Sequence, residues 1–337
     1  MGTKYYYVYT AVQAADGGTL ESVESNEISA TPSAGLTDVA FFASYNTNTV
    51  TALDCFSQTS AGLGVTRTVT GSNTKLVPSE YANVFADAAG KRLYVTTGKG
   101  STPSVLVWDN ADALTGNLAP NRVITNAALS DPSGVALDKK HDRLYVALRG
   151  GSILVFANAS TATGDTAPAA TISGNLTTLG GNVGELFLDE VNDRLYVSNY
   201  GTVVVWNGVS ALAGAGNTAP ARSFSATTAV MSNFGVSVDV TRDLAYVTSR
   251  DTKGTIYLFD KASTANGVTA PLETVTGLDA LTNMMTVQVA GDTLVGLVDS
   301  AASALVWENA HTLKAAAVPT HTVPLGLTNG GGMFYVP

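Results

Sequence analysis

Three histidines, one cysteine and two pairs of aspartates are the residues of this chain best suited to chemistry. A histidine within hydrogen-bond reach of a serine or cysteine makes a general base and a nucleophile. His141, however, sits in a polar turn with Lys139, Lys140 and Asp142, His311 in a loop and His321 on a strand. They fall at different places in the repeating pattern described below, so the sequence predicts no converging base. The pairs Asp138/Asp142 and Asp189/Asp193 have a spacing that could serve as paired carboxylates. Each pair flanks the same short turn, and aspartate is a turn former. A single cysteine forms no disulfide within the chain, and no CxxC or Cys/His metal spacing is present. Cys55 stands where other repeats carry Asn110, Asn158 and Asn309, and reads as a repeat variant rather than a nucleophile. The tryptophans Trp108, Trp206 and Trp307 recur with the repeat, which assigns them to packing rather than to a sugar platform.

The elements that carry these residues are short. In Gly134–Gly174, the runs GVALD, RLYVAL, SILVFA and PAATISG are split by KKHD, by Arg149-Gly150-Gly151 and by a longer polar loop. Apolar runs rich in Val, Ile and Tyr, punctuated by Gly, Asp and Asn, predict antiparallel strands. None has helical length or spacing, so one unit is a four-stranded meander. The unit recurs: Tyr94, Tyr145, Tyr196 and Tyr246 lie 51, 51 and 50 residues apart. The third strand ends in Trp108, Phe156, Trp206, Phe259 and Trp307. Pro120, Pro168, Pro220, Pro271 and Pro319 follow after 12, 12, 14, 12 and 12 residues, and are expected to open the fourth strands. Four strands at a period near fifty predict an all-β fold, a β-propeller.

Five units start near Val84, Val135, Leu186, Val236 and Val287. Before them, Val39–Ser44, Val50–Leu53 and Val65–Gly71 match the last three strands of another unit. The terminal stretch Met333–Val336 can supply its missing first strand. The expected architecture is therefore six four-stranded blades over residues 36–337, closed by the C-terminal strand, which also hides a sheet edge.

The unit GVALDKKHDRLYV followed by an ILVF strand resembles NHL-type and related six-bladed propellers of bacterial surface proteins. That resemblance covers residues 36–337 and implies a binding module or, more rarely, a lactone hydrolase or lyase; a shared propeller does not transfer an activity. Six-bladed lactone hydrolases hold a divalent cation on the axis with Glu, Asn and Asp side chains. The corresponding oxygens here would be Glu185, Asn233 and Asn283, with Asn83 and Asp131 nearby, a set that could suit calcium. Solvated channel lining is the competing account of the same residues. Residues 4–33 resemble the last two strands of a fibronectin type III domain, carried by Tyr6-Tyr7-Val8 and Glu24–Pro32. Residues 1–35 are thus expected to form a partial fibronectin-like hairpin and linker. The hairpin either packs on the propeller, pairs with another chain, or is the remnant of a larger protein.

With 13% charged residues, a net charge of −9 and no Lys/Arg run, the chain lacks the cationic clusters that nucleic acid requires. No stretch of 18 apolar residues occurs, so no membrane span is expected. The Thr/Ser/Asn/Gly/Ala-rich style, low in charge, fits an exported protein at the cell surface. The expected function is a non-catalytic binding or assembly module for a protein or glycan ligand. Its face collects Tyr81, Asn83, Asp131, Arg149, Glu185, Tyr200, Asn233, Arg250 and Asn283, because loops on a rigid scaffold carry function. The rivals are the metal-dependent hydrolase or lyase, and a structural subunit joined to its neighbours by strand addition through residues 4–33.

Overall fold

The computed structural model describes residues 36–44, 47–61, 65–77, 82–98, 103–226, 233–249, 254–276, 284–298, 303–327 and 329–337, together with four short strands within residues 5–30. Six antiparallel sheets of four principal strands follow one another. The first strands of blades 2 to 6 are Val84–Asp87, Pro132–Asp138, Val183–Asp189, Asn233–Asp239 and Met284–Ala290. Blade 1 is built from both ends of the ring. Met333–Val336 pairs with Val39–Ser44, with Met333 opposite Phe42 and Val336 opposite Val39, and Thr49–Asp54 and Val65–Val69 complete the sheet. The expected fold and its closure are observed.

A blade alone cannot bury both of its faces, and the core shows how the ring solves this. Buried apolar side chains form six clusters, each drawn from two neighbouring blades. Phe41 and Val50 of blade 1 meet Leu93, Leu106 and Trp108 of blade 2. At the closure, Val295 and Val306 of blade 6 meet Phe42, Phe56 and Tyr335 of blade 1. The repeated tyrosines and third-strand aromatics are buried in these layers. Trp108 and Trp206 donate their indole N–H to Leu118 O and Thr218 O at 3.2 and 3.1 Å, so packing does account for them.

Two details differ from expectation. Each proline lies two residues ahead of its fourth strand rather than opening it: the strands begin at Arg122, Ala170, Arg222, Glu273 and His321. Proline has no N–H to give to a ladder, so it fits just outside the pairing. The long loops after the third strands also pair. Gly164-Asp165 runs parallel to the fourth strand of blade 2, Gly214–Gly216 to that of blade 3, and Gly267-Val268 to that of blade 4. Gly116 bridges Val69 of blade 1 in the same sense. Blades 1 to 4 are thus each latched by the loop of the next.

Arginines strengthen the latch. Arg67 of blade 1 forks onto Asp54 and donates to Ala111 O and Leu114 O of the blade 2 loop. Arg122 of blade 2 pairs with Asp109 and donates to Ala159 O and Ala162 O of the blade 3 loop.

In the N-terminal segment, Tyr5–Tyr7 pairs antiparallel with Ile28–Ala30, and Val12–Ala15 with Gly18–Glu21. Among the described residues no helix is long and apolar enough to cross a membrane.

Candidate functional site

The paired aspartates do structural work. Asp138 and Asp189 are buried and accept the backbone N–H of His141 and Asn192, closing the turn. The second aspartate of each pair, Asp142 or Asp193, has a left-handed backbone with φ near +50°. Its two oxygens take the N–H and hydroxyl of Ser160 or Ser210 beyond the third strand, at 2.7 to 2.9 Å. Asp38 holds Ser57 and Asp243 holds Ser263 in the same way. In blade 6 the partner is His311, whose Nδ1 lies 2.8 Å from Asp292. Burial of the Asp292 carboxyl raises its pKa, but the His311 hydrogen bonds and the charges of His311 and Arg242 outweigh this and hold it below the usual range. His141 is tied to Asp138 at 2.8 Å. These histidines are engaged locally in separate blades and do not converge on a nucleophile. Cys55 is exposed and shares the left-handed φ of Asn158 and Asn309, as a repeat variant would.

The ring axis is different in kind. All six inner strands line a cavity of about 180 Å³. At the start of these strands the backbones crowd together. A Cβ on Gly134 would stand 2.5 Å from Gly184 O, one on Gly235 2.8 Å from Val287 N, and one on Gly332 2.7 Å from the Asn83 Cα. Only glycine permits this approach. Glu185 enters the axis at this level and is buried. Its Oε2 accepts the backbone N–H of Val236 at 3.2 Å and of Val287 at 3.5 Å, tying blade 4 to blades 5 and 6. Burial pushes the Glu185 carboxyl well above the ordinary carboxylate range, against the pull of the Val287 and Val236 amides. Asn83 is also buried, its Oδ1 accepting Val84 N–H at 2.8 Å.

Farther along the strands the walls become half-buried Phe85, Phe187, Leu188 and Phe334. The rings of Phe85 and Phe334 are 4.3 Å apart. At the mouth, Lys139 Nζ lies 3.5 Å from Glu190 Oε2. The cavity is therefore pinched at the strand starts and widens toward the turns that follow the first strands.

Two of the oxygens expected to hold an axial cation are engaged by the backbone: Glu185 Oε2 accepts two N–H groups and Asn83 Oδ1 accepts a third. Among the described residues no three His, Cys, Asp or Glu side chains gather as a metal-binding group. The side chain of Asn233 and the whole of Asn283 lie outside the described residues.

The opposite, loop-bearing face holds the other predicted residues. Asp131 has φ +48° and its carbonyl accepts Arg149 N–H at 3.1 Å. Arg149 donates from its guanidinium to Asn182 Oδ1, and its carbonyl accepts Asn182 N–H at 2.7 Å. Val183, next in the chain, pairs with Asn199, and Tyr200 follows with half of its surface exposed. The structure thus brings Asp131, Arg149 and Tyr200 into one continuous patch across blades 3 and 4. Asn83 and Glu185, expected both on this face and at the axis, line the axial cavity. Tyr81 and Arg250 lie outside the described residues.

The aromatic lining of this cavity, Phe85, Phe187 and Phe334, was not anticipated from the sequence. The available signal was Glu185, where the aligned positions of the other blades are Gly332, Asn83, Gly134, Gly235 and Thr286.

No protein-family model and no curated protein matches the sequence, so neither the NHL-type nor the fibronectin-like resemblance is confirmed. Solved structures do match. A chain of the crystal structure of a nidogen/laminin complex is 14% identical with a TM-score of 0.59, over 88% of this chain and 96% of that one. The WD40 domain of coronin from Toxoplasma gondii is 14% identical with a TM-score of 0.49, over 76% of this chain and 63% of that one. At such identity the nidogen/laminin likeness speaks for the fold alone: this chain is a six-bladed β-propeller.

Proposed function

We propose that this propeller is a non-catalytic binding or assembly module at the cell surface, and that it takes a protein or glycan ligand on the face bearing Asp131, Arg149 and Tyr200. The observation that carries this reading is the half-exposed Tyr200, on the same loop face as Arg149, which is tied across two blades to Asn182 by backbone and side-chain hydrogen bonds. Tyrosine and arginine are the residues most enriched at binding hot spots, and a rigid patch orders little on binding. The turn aspartates, by contrast, are committed to hydrogen bonds within their own blades. The similar nidogen/laminin chain comes from a protein–protein complex, as this reading would have it.

The test is a screen of the whole chain against arrayed glycans and extracellular proteins, repeated with Tyr200→Ala and Arg149→Ala. A ligand bound by the parent chain should lose about tenfold or more in affinity with either variant, while the melting temperature stays within about 2 °C. Ligands that bind both variants as tightly as the parent would move the site elsewhere.

A further inference from the structure

One layer of the axis departs from the repeat. The six inner strands place Gly332, Asn83, Gly134, Glu185, Gly235 and Thr286 at the same level, each opposite the fifth residue of its blade's second strand. Three glycines and their close backbone contacts leave room for one long side chain, and that side chain is an acid. As a plug between blades, Glu185 needs only an acceptor oxygen for Val236 and Val287, which a glutamine would supply. Its other oxygen, Oε1, accepts no hydrogen bond from a described residue and is not one of the sealed, unpartnered buried atoms. Glu185 lines the cavity, so this is the oxygen open to a ligand there. Beside it is an apolar cavity of about 180 Å³ with three phenylalanines in its wall. Cavities of roughly 150 Å³ hold benzene, so the space admits one ring and a short arm.

We propose that the axial cavity binds a small primary amine carrying one aromatic ring, with the ammonium on Glu185 and the ring against Phe85, Phe187 and Phe334. Of the described residues lining the cavity, the titratable or charged ones are Glu185, Lys139 and Glu190, and the last two pair with each other at the mouth. The Glu185 carboxylate is therefore the charge left for the ligand to meet. Phenylalanine faces add cation–π attraction. Because burial favours the neutral acid, an arriving ammonium draws the proton off Glu185. Affinity should rise with pH until the amine itself loses its proton. Tyr200 does not line this cavity, so Tyr200→Ala leaves it intact and its fate is independent of the loop-face reading.

The probes are benzylamine and its neutral isostere benzyl alcohol, titrated calorimetrically into the whole chain. The parent should bind the amine about tenfold or more tightly than the alcohol. Glu185→Gln, which keeps an acceptor for both amides, should bring the two probes level, whereas Glu190→Gln should not. Equal binding of the two probes by the parent, or an amine preference that survives Glu185→Gln, overturns the proposal. Should Glu185→Gln fail to fold, the parent alone decides. At pH values below the Glu185 pKa, amine binding measured in buffers of different ionisation enthalpy should release about one proton. No proton release there refutes the assignment.

Discussion

At the scale of single residues, Glu185 makes the most distinctive prediction. Its pKa is raised by burial, so between the unfolded carboxyl value, about 4.3, and the folded value, the unfolded chain has lost a proton that the native chain retains. Stability from this group is full below the unfolded pKa and is lost as pH rises through the folded one. Glu185→Gln has no such slope. Thermal melts from acid to neutral pH should therefore show the variant gaining on the parent as pH rises, and a constant difference would mean that Glu185 titrates alike in both states. The turn aspartates were legible in sequence because their spacing repeats with the blade. Glu185 was legible as an axial residue, but its exact pairing was not, for a physical reason. The first strands carry bulges, between Val183 and Leu186 in blade 4 and between Asn233 and Val236 in blade 5. A bulge breaks the two-residue alternation, so counting along the strand does not say which side chain points at the axis.

At the scale of elements, two kinds of glycine should respond differently to substitution. Gly164 has φ +70° and open space where a Cβ would go. Gly164→Ala should cost about 1 kcal/mol, the left-handed backbone penalty alone. Gly134 has no such φ, but its Cβ would press on Gly184 O of the next blade at 2.5 Å. Gly134→Ala must push neighbouring inner strands apart and should cost about 2 to 3 kcal/mol as overpacking. Urea melts of both variants check the order; a reversal would mean that the strands at the axis can yield. The latch strands themselves did not read as strands because glycine-rich pairs of residues lack β propensity. Yet their signal was present. Gly116, Gly164, Gly214 and Gly267 each lie eight residues after the third-strand aromatic. In blade 6 the same offset gives Ala315, whose carbonyl accepts Thr276 N–H of blade 5. A fixed offset without strand composition is the mark of a backbone role.

At the scale of the whole molecule, the closing strand carries the ring. Met333, Tyr335 and Val336 are buried, and Gln288 of blade 6 grips the Tyr335 backbone through both of its amide atoms, at 2.6 and 2.9 Å. Three buried side chains at about 2 kcal/mol each, with about 2 °C per kcal/mol for a chain of this size, set the scale. Removal of residues 333–337 should lower the melting temperature by about 10 °C or more. An unchanged melt would show that blade 1 stands without its inner strand. The closure was legible because Val39–Val69 supply three strands of a unit and Met333–Val336 the fourth.

The same closure sets an order of events during synthesis. Val39–Ser44 leaves the ribosome before its partner strand, which follows nearly 300 residues later. At about 5 to 20 residues per second, the nascent chain waits roughly 15 to 60 s with the unpaired edge of blade 1 exposed. During that interval the edge is open to any passing strand, including the same segment on a neighbouring nascent chain. Crowded polysomes, where several nascent copies carry this open edge side by side, are where such misassembly would start.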